Sequence, residues 1–180
     1  MAEEIHELHE HAEEAHRDPS LIPVTLSMAI LAVVLAAISL LGHRAHTEEL
    51  LLQNKATDQW AYFQAKAIRR HTYELFLDLL SIANPKDTGA AEKLKEKYSS
   101  EIKRSMGEQN DIQSEAQQLE REGATQRHKG NRYDLGEVCL EVGIVLTSLS
   151  LLTRRKLFWG LGGLAGIVGV AIAASALWVK

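Results

Sequence analysis

The stretch RYDLGEVCLEVGIVLTSLSLLTRRK, residues 132–156, decides the fold. It has the apolar content of a membrane span, yet Glu137 and Glu141 lie within it. A span needs roughly 20 residues to cross about 30 Å of hydrocarbon. A charge at its centre costs about 2.5–3.5 kcal/mol on insertion scales, so such residues usually face protein or water. These two acids are therefore the first candidates for a functional site.

Two further stretches, 21–42 and 157–179, contain no charged side chain. The averages, 46% hydrophobic residues and a net charge of -4, would suit a soluble domain, because a polar middle dilutes the apolar segments. We therefore predict an all-α integral membrane protein with transmembrane helices at 21–42, 135–153 and 157–179. The first should be a permanent anchor, because it follows an acidic tail and exceeds the core of about 7–15 residues that a signal peptide has.

Residues 43–134 form a polar block between the first and second spans. Pro85, in a predicted turn near 84–88, divides the block into two runs in which apolar residues recur at spacings of three and four. This pattern predicts a long antiparallel helical hairpin outside the membrane. The second stripe includes Ser105 and Gln109, so the seam between the arms is weak. We expect a homo-oligomer to supply the missing core.

An acidic face marks the second span. Asp134, Glu137 and Glu141 stand at i, i+3 and i+7, and Ser148 shares their side of the helix. Only residues 142–153 separate Glu141 from the basic turn, and at ~1.5 Å per residue they cover about 18 Å. That length is too short to cross the membrane, so Glu141 should lie below the interface.

Small residues occupy the opposite side of the same helix, at Gly136 and Gly143. The third span carries Gly162, Gly166 and Gly169 at spacings that let two helix backbones approach closely. The second span is therefore predicted to pack against the third, with its acids pointing elsewhere.

The acidic face favours a cation or proton pathway in a homo-oligomer, because rings of carboxylates around an axis admit cations. Asp134 and Glu137 would gather cations at the mouth, Glu141 would form the inner ring, and Ser148 would offer a hydroxyl deeper in.

Two alternatives stay open. Arg44 or His43 could neutralise Glu141 within one subunit, because intramembrane charges often pair, and the protein would then be a non-conducting, membrane-anchored helical scaffold. The layout of one span, a helical block and two spans is also similar in outline to proton-driven energy-coupling subunits, an analogy of layout alone.

The acidic tail, residues 1–20, is rich in histidine. Imidazole and carboxylate together suit a divalent metal such as zinc, and the candidate ligands are His6, His9, Glu13 and His16. The alternative, which the composition favours, is a solvated tail that responds to mild acid. No other cofactor is predicted.

Catalytic motifs are missing: the chain has no Walker loop, GxGxxG, GxSxG or HExxH pattern. Its acidic balance argues against nucleic acid. Cys139 is its single cysteine, so no internal disulfide forms. We expect a protein that is not an enzyme and whose partners are the lipid bilayer, further copies of itself, and cations or protons.

The connection between the second and third spans holds Arg154, Arg155 and Lys156. The positive-inside tendency assigns this short basic turn to the cytoplasm. The N-terminus would then be cytoplasmic and the helical hairpin periplasmic.

Three segments together resemble a known family. They are the tail EEIHELHEHAEEAH at 3–16, WAYFQAKAIRRHTYEL at 60–75, and a terminal two-span hairpin around RRKLFW at 154–159. This pattern is similar to that of a bacterial family of small three-span membrane proteins described only as a domain of unknown function. The resemblance implies a multi-pass protein of the bacterial inner membrane, and it assigns no catalytic or binding residue.

Overall fold

The described part of the chain is helical throughout. The computed structural model describes residues 21–83 and 88–179. Its elements are α1, Ile22–Ile82; α2, Thr88–Thr153; α3, Lys156–Ser175; and a closing 3-10 turn, Ala176–Trp178. No strand occurs in the described ranges, and the prediction of an all-α chain is confirmed at that level.

Two predicted features lie wholly or mostly outside the described residues. The acidic tail at 1–20, with the candidate metal ligands His6, His9, Glu13 and His16, lies outside the described residues. Most of the predicted turn near 84–88 does so too, since residues 84–87 are not described.

Helices α1 and α2 are long, with 61 and 66 residues. Proline occurs only at positions 19, 23 and 85, so neither helix carries one beyond its first turn. The intervening residues are mostly good helix formers, and nothing forces a break where an apolar segment passes into a polar one. Both helices therefore continue through the positions at which the sequence predicts the ends of spans.

Each of the three helices is long and apolar enough to cross a membrane, judged by length and composition. These properties are compatible with a multi-pass membrane protein. The names first, second and third span are kept below for the apolar segments of α1, α2 and α3.

The chain divides into two compact units. The first unit contains the described residues up to Glu48 and those from Thr125 onward. The second unit is Glu49–Ala124.

Apolar side chains from all three helices form the core of the first unit. One cluster includes Ile38 from α1, Leu140 from α2 and Ala173 from α3. A second cluster joins Met28 of α1 to Leu151 of α2. Residues early in α1 thus meet residues late in α2, which makes the two spans antiparallel.

The closest contact in this unit joins α2 to α3 through glycines. A Cβ atom placed on Gly143 would lie 2.9 Å from the carbonyl oxygen of Gly162, and one on Gly169 would lie 2.7 Å from that of Gly136. Real Cβ atoms do not approach backbone so closely, so only glycine fits at this separation. Thr147 is buried at this contact, and its hydroxyl donates a hydrogen bond of 2.7 Å to the carbonyl of Gly143. Its polar side chain is therefore satisfied within α2.

A two-residue turn joins α2 to α3. Arg154 adopts a φ of 54°, the left-handed conformation that non-glycine residues rarely take. Ser150 donates a hydrogen bond of 3.1 Å from its hydroxyl to the carbonyl of Arg155, which holds the end of α2 to the turn.

The second unit is an antiparallel pair of helices. Trp60 donates its indole N–H to Glu120 at 2.8 Å, Lys66 is bonded to Glu108, and the rings of Tyr73 and Tyr98 lie 5.1 Å apart. In these contacting pairs the residue numbers rise along α1 while they fall along α2, so the two helices are antiparallel, as in a hairpin. Polar residues share this seam, because Ser105 and Gln109 are both buried in it.

Replacing Gly162 with alanine should destabilise the contact between α2 and α3. The added Cβ would meet the backbone of Gly143 at 2.7 Å, and overpacking of this kind costs about 1–3 kcal/mol. Unfolding by detergent titration, followed by circular dichroism, measures the loss. Gly163→Ala is the matched control, because no atom lies within 4 Å of a Cβ at that position. Equal stability of the two variants would contradict this account of the contact.

The second unit should lose stability in acid through Glu108. Hydrogen bonds from Lys66 and then Arg104 hold the pKa of this carboxyl below its usual 4.5. A lowered folded-state pKa gives stability that is present above about 4.5 and is lost as the pH falls through the lowered value. Thermal melts of the full chain at pH 3 to 7 should therefore depend less on pH in Glu108→Gln than in the wild type. Glu115→Gln, an exposed carboxylate on the same helix, should keep the wild-type dependence.

Candidate functional site

The glycine contact fixes which side of α2 faces outward. Gly136, Gly143 and Thr147 lie against α3 and are buried. At about 100° per residue, Glu141 is about 160° around the helix from Gly143. The carboxylate therefore points away from the contact, and its side chain is exposed on the surface of the first unit.

Aliphatic residues surround Glu141 on this outer face. Val138 and Val145, one turn away on either side, are 54% and 63% exposed, and Val142 is exposed beside them. An exposed aliphatic face on a span is ordinary where lipid or another helix covers it. A carboxylate in the middle of such a face is not.

Glu141 also lies at mid-depth along the third span. Gly136 contacts Gly169, and Gly143 contacts Gly162. Glu141 stands between these two positions of α2, so it is level with the central turns of α3.

No charged group of the described chain is paired with Glu141. The ion pairs and hydrogen bonds within residues 21–83 and 88–179 do not include it, and none joins it to Arg44. Arg44 is exposed on α1, two residues beyond Gly42, which faces Asp134. That register puts Arg44 near the outer end of the acidic face and away from Glu141.

Asp134 is held by a histidine. His46 Nε2 and Asp134 Oδ2 lie 3.0 Å apart, joining α1 to α2 within the first unit. Both side chains are partly exposed, so the pair is open to water as well as fixed in position.

Two glycines make room for this pair. A Cβ on Gly130 would lie 2.7 Å from Cε1 of the His46 ring, and one on Gly42 would lie 3.3 Å from Oδ1 of Asp134. The imidazole therefore packs closely against α2 at Gly130, one turn from the carboxylate that it contacts.

The two other residues of the acidic face differ in setting. Glu137 is half-buried, one turn from Asp134. The Ser148 hydroxyl donates to the carbonyl of Val145 at 2.9 Å, so its oxygen keeps free lone pairs but its proton is engaged. The structure thus places Asp134, Glu137, Glu141 and Ser148 on the side of α2 away from the glycine contact, and there Asp134 also meets α1. The glycines Gly136, Gly143, Gly162, Gly166 and Gly169 lie at the close approach of the helices, where Gly166 also faces Leu31 of α1.

Sequence reasoning missed the histidine partner and its glycines. His46 was assigned no role, because its contact with Asp134 spans 88 residues of sequence. The available signal was the pair of isolated glycines, Gly42 and Gly130, in segments otherwise made of helix formers. A lone glycine inside a helical pattern often marks a close approach.

A protein family model described as a domain of unknown function (DUF4337) matches residues 20–179. The chain belongs to this family. Comparison with curated proteins and with solved structures gave no match. The DUF4337 description names no activity, so any functional assignment depends on the geometry of the chain itself.

Replacing Gly130 with alanine should separate His46 from Asp134. The new Cβ would occupy the space of the imidazole, and the ring can swing away at little cost because it ends a side chain. Nitrogen-15 NMR of the histidine rings in detergent, with His46→Gln to assign the signal, should show a shifted His46 resonance. Gly107→Ala, on the same helix in open space, gives the same gain in helix propensity and should leave the resonance in place. An unmoved signal in Gly130→Ala would contradict the contact.

Proposed function

We propose that this DUF4337 protein is a homo-oligomeric integral membrane protein in which the acidic face of α2 lines a pathway for cations or protons. The observation that carries the proposal is Glu141, a carboxylate without a partner in the described chain, on an exposed aliphatic face at mid-depth. We further propose that it resides in the inner membrane of a bacterium, with the Arg154–Lys156 turn cytoplasmic and the hairpin periplasmic.

The surroundings of Glu141 require something outside the subunit. Exposure of a carboxylate to hydrocarbon costs about 2.5–3.5 kcal/mol at the centre of a span. Water alone would stabilise the carboxylate but would leave Val138 and Val145 wet. A second copy of the same face brings matching aliphatic side chains, and water or cations around the shared axis would stabilise the carboxylates that it places there.

Such an assembly would present acids at successive depths. Asp134, positioned by His46, would stand at the mouth with Glu137, and Glu141 would form a ring below them. Carboxylate rings attract cations while allowing exchange between sites, and a carboxyl group can also pass protons. Ser148 would add a hydroxyl oxygen about two turns deeper than Glu141.

A separate observation favours the second candidate, a non-conducting scaffold that acts through its hairpin. In the second unit, α1 exposes four aliphatic residues at spacings of 7, 4 and 3, with exposures from 63% to 79%: Ile68, Leu75, Leu79 and Ile82. A stripe of this kind on a polar hairpin suits contact with another protein. Under this function, Glu141 would be neutralised by a partner and would conduct nothing.

Replacing Glu141 with glutamine should lower cation or proton flux through the purified protein in liposomes. The amide keeps the shape but removes the charge, and a loss of about 1.4 kcal/mol of cation stabilisation corresponds to about tenfold weaker cation binding at this ring. Flux is followed with a pH-sensitive dye and an imposed potassium gradient. Glu96→Gln, an exposed carboxylate of the second unit, is the charge-matched control and should conduct like the wild type.

The mass of the protein in detergent is measured first, because the pathway requires an oligomer. Equal flux in the wild type and Glu141→Gln would count against the pathway. An oligomer that conducts nothing in either form would favour the scaffold, and so would co-purification with a second protein that Leu75→Gln and Leu79→Gln release.

A further inference from the structure

A polar pocket of about 180 Å³ lies between the two helices of the second unit, apart from the acidic face of α2. The residues that line it are Lys66, Arg69, Tyr73, Glu101, Arg104, Ser105 and Glu108. Three of these carry positive charge and two carry negative charge at neutral pH. The pocket therefore has a net charge of about +1 on an otherwise acidic chain.

One carboxylate of the pocket is already fully engaged. Glu108 accepts from Lys66 through Oε2 and from Arg104 Nε at 2.9 Å through Oε1. The same contacts lower the pKa of Glu108 and raise the pKa of Lys66, so this carboxylate and this ammonium group stay charged across the physiological range. Lys66, Glu108 and Arg104 thus join α1 to α2, and the positively charged side chains of Lys66 and Arg104 are held at the wall of the pocket.

Several donors at the pocket remain unused. Ser105 is only 9% exposed, and its hydroxyl has no hydrogen-bond partner in the described structure. Arg69 is exposed and forms no ion pair within the described ranges, and Arg104 engages Glu108 through Nε rather than through its terminal nitrogens. A buried hydroxyl without a partner is destabilising, so a polar group that reaches Ser105 would be favourable.

The hydrogen-bond donors and acceptors that remain unused in the pocket indicate whether its ligand is negatively or positively charged. Both oxygens of Glu108 are occupied, so Glu101 alone would be left to hold a cation. An anion, in contrast, would meet the unpaired guanidinium of Arg69, the terminal nitrogens of Arg104 and the hydroxyl of Ser105. Arginine nitrogens and hydroxyls are the donors that protein sites use for oxyanions.

We propose that this pocket binds a phosphate-type oxyanion, with Arg69, Arg104 and Ser105 as its donors. The oxyanion could be free inorganic phosphate or the phosphomonoester headgroup of an anionic lipid, since both present at least three unesterified phosphate oxygens, whereas the phosphodiester of phosphatidylcholine presents two. Lys66 positions the site through Glu108 and adds positive charge. The binding would take place in the second unit and does not depend on conduction through the first.

Calorimetric titration of inorganic phosphate into the full-length protein in phosphatidylcholine nanodiscs tests the proposal. We expect saturable binding that Arg69→Gln weakens by about tenfold or more, because hydrogen bonds to charged groups are the strong ones. Ser105→Ala should weaken it by a smaller factor. Lys103→Gln removes an exposed positive charge from the same helix outside the pocket and should bind phosphate like the wild type.

A second arm identifies the source of the phosphate. In nanodiscs with phosphatidic acid, loss of free-phosphate binding would assign the site to a lipid headgroup, and unchanged binding would assign it to a soluble anion. Either result supports the oxyanion site. Absence of saturation in phosphatidylcholine nanodiscs would overturn it, and so would equal weakening by Lys103→Gln and Arg69→Gln. Circular dichroism of each variant checks that the helices are intact.

Discussion

The close approach of α2 and α3 at Gly143 and Gly162 is the contact from which the arrangement of the first unit follows. Each glycine faces a carbonyl oxygen of the other helix at a separation that a methyl group could not share. Because the contact needs small residues on one side of α2, it selects the rotation of that helix. Glu141 lies on the opposite side, so it is directed outward as a consequence of the glycine contact.

The same contact explains why the outer face is chemically mixed. The inner positions of α2 are used for the backbone approach and for Leu140 and Leu151 against α1. Valines at 138, 142 and 145 can then only be covered from outside the subunit. Glu141 shares that surface, so whatever covers the valines also sets the environment of the carboxylate.

Much of this architecture could be predicted from the sequence, because helical periodicity and apolar length are local properties. The all-α class followed from the spacing of apolar residues, and the first and third candidate spans followed from long stretches without charge. The lengths of α1 and α2 were harder to predict from the sequence. Residues near Gly42 and Asp134 change from apolar to polar, which suggests an end, whereas helix formers on both sides allow the helix to continue.

Contacts between distant residues were the hardest part to anticipate. The pairing of His46 with Asp134, and of Lys66 with Glu108, depends on the register between α1 and α2, which no single stretch encodes. Ser105 and Gln109 were recognised as weak points of the seam. That both would be buried, each with an unsatisfied side-chain atom, required the position of the opposite helix.

Physical chemistry limits what can contact the face around Glu141 to lipid, water or another protein surface, and these differ in how well they suit it. Lipid tails suit the three valines but give a carboxylate no hydrogen bond and no counter-charge. Bulk water suits the carboxylate but leaves the valines exposed at a cost of about 25 cal/mol per Å². A protein surface can offer apolar contact beside a polar or hydrated path. The face of α2 offers both, because its exposed valines flank the carboxylate of Glu141. Self-association through this face, with water or cations between the carboxylates, is therefore the simplest cover, because the apolar contact comes from side chains that the chain already carries.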